Sequence, residues 1–164
     1  MSKSKLVVLI ILTTVITAVF GQYIKIGSVR PDILFTFVLC FAALSQNVLR
    51  VMIQAAVCGA ISDCMCGRIF GNYTAVFLIC AVIVYIIKDV VYKDNFLVSI
   101  LLVFLCTLIG KSLFYVINIS TLKETGYFFS LTNIILPEAL FNSVLSCAML
   151  PIIKWLGIRK AGYR

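Results

Sequence analysis

The chain has 164 residues, 63% of them hydrophobic, and a mean hydropathy of +1.15; soluble domains run nearer about 45–50% apolar, so this is an integral membrane protein with little room for a soluble domain. Fourteen bases against six acids give a net charge of +8, but the bases sit at the ends of apolar runs, where they orient helices toward a membrane surface, and no basic patch interleaves with aromatics, which argues against nucleic acid. Histidine is absent and the seven cysteines (Cys40, Cys58, Cys64, Cys66, Cys80, Cys106, Cys147) are scattered and odd in number, so neither a metal site nor a disulfide framework is supported and no cofactor is expected.

The first element opens on Ser2-Lys3-Ser4-Lys5 and runs apolar from Leu6 to Phe20. It resembles a signal peptide, yet Gly21-Gln22-Tyr23-Ile24 prolongs the apolar stretch without a small-x-small cleavage site, so a retained first helix is expected. Five more apolar runs follow, and the six spans cover about 5–24, 31–46, 48–66, 73–91, 96–118 and 130–156. They predict one all-α transmembrane domain over residues 1–164. Turn chemistry or charge fills the breaks at Lys25 to Pro31, Ser45-Gln46-Asn47, Gly67 to Asn72, Tyr92-Lys93-Asp94-Asn95 and Ser120 to Gly126.

The second span is the short one. Ile33 to Leu44 is twelve residues, below the usual length of a crossing. Charge favours a crossing all the same. With the N-terminus in the cytoplasm and six crossings, nine bases face inward (Lys3, Lys5, Arg50, Lys88, Lys93, Lys154, Arg159, Lys160, Arg164) and four outward (Lys25, Arg30, Arg68, Lys123). Five crossings would put the basic tail outside, against the positive-inside tendency.

Charges inside the apolar runs are the candidate functional residues, because an acid near mid-bilayer costs about 2.5–3.5 kcal/mol on insertion scales. From helix rise, Asp63 and Lys111 each lie about 8 Å below the outer edge of the hydrocarbon and Glu138 about 12 Å below it, with Asp32 at the outer mouth of the second span. Four helices thus converge ionisable groups on the outer half, and the inner half is expected to hold none. Lys111 is expected to neutralise Asp63 or Glu138 and fix helix register. The competing readings are a binding cavity open to the outer face and a proton path, the latter without an inner group to complete a relay. Pro137, one turn below Asn133, predicts a bend above Glu138. Gly59, Asp63 and Gly67 share a helix face at four-residue spacing and permit a close neighbour. Pro31 and Asp32 read as a helix start. No nucleophile–base pair, phosphate loop or carboxylate dyad is present, so no catalytic residue is assigned.

Three motifs together carry a resemblance. Pro31-Asp32-Ile33-Leu34, then Gly59-Ala60-Ile61-Ser62-Asp63 with Gly67 and Gly71-Asn72, then Leu136-Pro137-Glu138-Ala139-Leu140-Phe141-Asn142 are similar in order and spacing to the rod shape-determining protein MreD family. The resemblance covers the whole chain. It implies a non-enzymatic membrane component of the bacterial cell-elongation machinery, working beside the single-span protein MreC, MreB filaments and the cell-wall synthases. It also implies a fold like the substrate-binding subunits of ECF-type vitamin transporters, and Asp32, Asp63, Glu138 and Asn142 as motif positions. The alternative is such a vitamin-capture subunit, but Thr13-Thr14-Val15-Ile16-Thr17-Ala18 lacks the Ala-x-x-x-Ala docking surface those subunits typically carry on their first helix.

Overall fold

A computed structural model describes residues 3–20, 31–66, 70–91, 96–117 and 127–155. Among these residues the apolar runs are helical and no strand occurs: α1 (Lys3–Phe20), α2 (Ile33–Leu44), α3 (Val48–Cys66), α4 (Asn72–Val91), α5 (Phe96–Ile117), and a last span built of α6 (Tyr127–Ser130), a π-helical turn (Leu131–Ile135) and α7 (Leu136–Trp155). Val48–Met65, Leu97–Ile117 and Leu131–Trp155 are long and apolar enough to cross a membrane, while Ile33–Leu44 and Asn72–Lys88 are shorter apolar helices.

The shortest helix is the centre of the bundle. Every residue of α2 is buried, as expected for a helix that is hydrophobic all round, and it touches α1, α3, α4, α5 and α7. At 1.5 Å per residue α2 is about 18 Å long against a hydrocarbon core of about 30 Å. Its ends therefore fall short of those of its neighbours. Around it, α3 packs along α4 and α5 along α7. Phe35 of α2 stacks at 4.9 Å on Phe77 of α4, and Tyr73 of α4 meets Phe114 of α5 at 4.6 Å.

The outer surface is apolar. Leu49, Ile53, Ile86, Leu97, Leu101, Val144 and Trp155 are all exposed, the reverse of a soluble surface and suited to lipid. On α1, Val8, Ile11, Leu12 and Val15 form one such face while Ile10 and Thr13 are buried. The hydroxyls of Thr13 and Thr14 donate to the carbonyl of Ile10 and that of Thr17 to Thr13, at 2.7–3.0 Å, so these polar side chains need no water.

Pro137 acts one turn earlier than a simple kink would. Its nitrogen has no hydrogen, and the turn before it is wound as π-helix, with the Leu136 N–H reaching the carbonyl of Leu131. Insertion of a π turn is one of the known responses to an interrupted hydrogen-bond ladder. The turn lies directly above Glu138.

Candidate functional site

The N-terminus of α2 is where the buried charges meet. Asp32 caps the helix: its Oδ1 accepts the N–H of Phe35 at 3.0 Å, the usual reason for an acid at this position. Its Oδ2 accepts from Lys111 Nζ of α5 at 3.0 Å. Its own N–H donates to Asn142 Oδ1 of α7 at 3.0 Å, and its carbonyl takes the Thr36 hydroxyl at 2.9 Å. Lys111 also contacts Glu138 Oε1 of α7 at 2.6 Å. One lysine thus bridges two acids from two other helices. The three side chains are 18%, 16% and 9% exposed for Lys111, Asp32 and Glu138, so the contact is shielded from the screening that weakens surface pairs.

Local sequence explains why these groups can meet. Gly110 precedes Lys111, and a Cβ there would lie 2.8 Å from the Phe35 ring and 3.0 Å from Cys80 Sγ; its absence lets α2 settle against α5 beside the lysine. Glu138 and Asn142 are four residues apart on one face of α7. Lys111 is six residues short of the end of α5, so the start of α2 lies about 9 Å below that end.

Asp63 is not a member of this cluster, contrary to the convergence expected from depth alone. Its carboxylate caps α4 instead: Oδ1 accepts the Tyr73 N–H at 2.9 Å, and Oδ2 accepts the Thr74 N–H at 3.1 Å and the Thr74 hydroxyl at 2.6 Å. An acid at the positive end of a helix dipole needs no lysine to be stable. Depth placed it level with Lys111, but depth carries no azimuth. Gly59, one turn earlier, makes the reach possible, since a Cβ there would stand 2.5 Å from Thr74 Cα. Gly71 closes the α3–α4 turn at φ +101°, a conformation suited to glycine. Gly67 lies outside the described residues, as do the loop cations Lys25, Arg30, Arg68 and Lys123.

Asp63→Ala is therefore expected to lower stability by about 1–3 kcal/mol, the cost of leaving buried donors unpaired. Asp63→Asn, which keeps one acceptor, should cost less. Thermal unfolding in detergent of the two variants gives the comparison.

The opposite end of α2, expected from sequence to hold no buried charge, has one as well. Lys88 of α4 is 6% exposed. Its Nζ donates to the carbonyl of Ser45, the C-cap of α2, and lies 3.7 Å from the Tyr85 ring centroid. The Tyr85 hydroxyl donates to the next carbonyl, that of Gln46, at 3.0 Å. Lys88 read as a loop-proximal cation in the sequence because it sits one turn from the end of its run. The short α2, whose last carbonyls end inside the bundle, draws it inward. A lysine consequently holds each end of α2, Lys111 through the N-cap acid and Lys88 at the C-cap carbonyl.

The geometry brings Asp32, Lys111, Glu138 and Asn142 together and leaves Asp63, Gly59 and Gly71 as a second, separate knot at the α3–α4 turn. Sequence reasoning missed Lys88, Gly110 and Thr74. A glycine beside a buried lysine was the signal available for Gly110; nothing in the sequence pointed to Thr74. Of the cysteines, Cys40, Cys58, Cys80 and Cys106 are buried and unpaired, while Cys64 and Cys147 are exposed.

These features define a polytopic helical membrane protein whose central helix is tied at its N-terminal end by a buried ion network. A family model of the rod shape-determining protein MreD matches residues 2–158, and the chain belongs to that family. No curated protein and no solved structure matched it. Membership makes it a rod-shape determination component of the cell membrane.

Proposed function

We propose that this protein is a non-enzymatic scaffold of the cell-elongation machinery, which crosses the membrane six times and binds an MreC-like single-span protein, and through it acts on MreB filaments and the cell-wall synthases. The observation that carries this reading is the family match across nearly the whole chain. The site supports it: the carboxylates of Asp32, Glu138 and Asp63 are engaged within the chain, an arrangement that fixes helix positions and leaves none of these three poised as a general base. Association with a single membrane helix proceeds through packing and small residues, because lipid gives no hydrophobic drive between helices.

Depletion in a rod-shaped host tests the reading. Cells should widen or round, and the tagged protein should co-purify with the single-span partner. Normal width combined with loss of uptake of one vitamin would favour the transporter-subunit alternative.

Topology is tested separately. With both termini in the cytoplasm, a reporter fused at residue 164 should give a cytoplasmic signal and one near residue 124 an extracytoplasmic signal, as the nine-to-four split of bases requires. An extracytoplasmic signal at residue 164 would exclude six crossings.

A further inference from the structure

The bundle is not equally tall on all sides. At 1.5 Å per residue, the apolar stretches Val48–Met65 of α3 and Asn72–Lys88 of α4 are about 27 and 25 Å long. Leu97–Ile117 of α5 is about 31 Å long and Leu131–Trp155 of the last span about 37 Å. Around α2 the packing order is α3, α4, α5, α7, so the two short helices are neighbours and so are the two long ones. Each pair has a face toward lipid. Ile53, Ile79 and Ile86 are exposed on the short pair, and Leu101, Leu105 and Val144 on the long one.

Polar contacts fix the height of the short pair at both ends. At one end the Asp63 carboxylate of α3 accepts the N–H groups of Tyr73 and Thr74 at the start of α4. At the other, Lys88 and Tyr85 of α4 donate to the carbonyls of Ser45 and Gln46, just before α3 begins. The two helices therefore run antiparallel between the same two levels. On α5, by contrast, exposed apolar side chains stand at both ends, Leu97 and Ile117. Tilt does not level the two sides. At the usual tilt of about 20° a 37 Å stretch still spans about 35 Å, and tilting the short pair shortens it further. A fluid bilayer yields instead, thinning beside a short apolar face and thickening beside a long one.

We propose that this protein holds the bilayer at two thicknesses, its α3–α4 face taking lipids of shorter acyl chain than its α5–α7 face. Both faces are apolar, so chain length and not headgroup chemistry sorts the lipids between them. A bilayer of about 30 Å is too thick for the first face and too thin for the second, and the protein deforms it in opposite senses on its two sides. The inference is independent of which protein the chain binds.

Tryptophan quenching by brominated lipid tests this in the full-length protein. The chain has one tryptophan, Trp155, so Trp155→Phe gives a silent background. Ile79→Trp and Val144→Trp, each near the middle of its apolar stretch and exposed, then report on the two faces separately. Each variant is reconstituted with mixtures of plain and brominated phosphatidylcholines of fourteen to twenty-two carbons, and the relative binding constant at each chain length is read from the quenching. The tightest-binding chain at Ile79→Trp should be shorter than that at Val144→Trp by roughly four carbons, the length that matches the difference in apolar height. If either variant does not fold, Ile53→Trp on α3 and Leu105→Trp on α5, both exposed, should show a shift in the same direction. The same optimum on both faces, a reversed order, or no dependence on chain length at either would overturn the proposal.

Discussion

Replacing Lys111 with methionine should lower stability by about 3–5 kcal/mol, the range for breaking one side of a buried ion pair. Most of that loss comes from what stays behind. Glu138 and Asp32 both lean on the one ammonium, so its removal strands two carboxylates in a poorly solvated place. Adding Glu138→Gln should recover a large part of the loss, because the more buried of the two acids is then neutral. Adding Asp63→Asn should recover none, since the Asp63 carboxylate is held by Tyr73 and Thr74 at the start of α4. Thermal unfolding of the single and paired variants in detergent separates these outcomes. Equal rescue by both acid substitutions would break the geometric account of the cluster.

Gly59→Ala is expected to be nearly as damaging, by a different mechanism. The new methyl would stand 2.5 Å from the backbone Cα of Thr74, and backbone cannot rotate aside as a long side chain does. The helices must separate, and overpacking of this kind costs about 1–3 kcal/mol. Separation also pulls Asp63 away from the N–H groups of Tyr73 and Thr74, so the two losses are coupled. Gly71→Ala supplies the contrast: a Cβ there meets nothing within 4 Å, so its cost is limited to the positive φ, about 1–2 kcal/mol. A double-mutant cycle of Gly59→Ala with Asp63→Ala should be markedly non-additive. Additive losses would mean that close approach and capping are independent.

Much of this was legible in the chain itself. Helices follow the apolar runs because a backbone in lipid must satisfy its own hydrogen bonds, and runs are visible in composition. The proline expected to bend the last span is preceded by a π-helical turn, and Asp32 as a helix start and a charge partner for Lys111 followed from residue type and spacing. Azimuth did not. Asp63 and Glu138 were both candidate partners by depth, and only packing decides that α7 rather than the end of α3 faces Lys111. Lys88 escaped for a similar reason: its burial depends on α2 stopping short, which is a relation between two helices and not a property of either. Asn142 was recognised within a motif, but its hydrogen bond to the backbone of Asp32 spans more than a hundred positions of sequence and has no local signature.

The proposed scaffold uses the Lys111 network only to hold helices in place. Lys111→Met combined with Glu138→Leu and Asp32→Asn removes all three charges. Apolar groups of similar bulk replace the lysine and the more buried acid, an exchange that is often neutral or stabilising, and the asparagine keeps an acceptor for the Phe35 N–H at the helix cap. Cell width is then measured in a depletion strain complemented by this triple variant at normal membrane levels. Rod-shaped cells of normal width are expected, since a scaffold needs the helices in place and not the charges themselves. Rounded cells carrying a folded, membrane-inserted triple variant would instead assign the charges a direct chemical role.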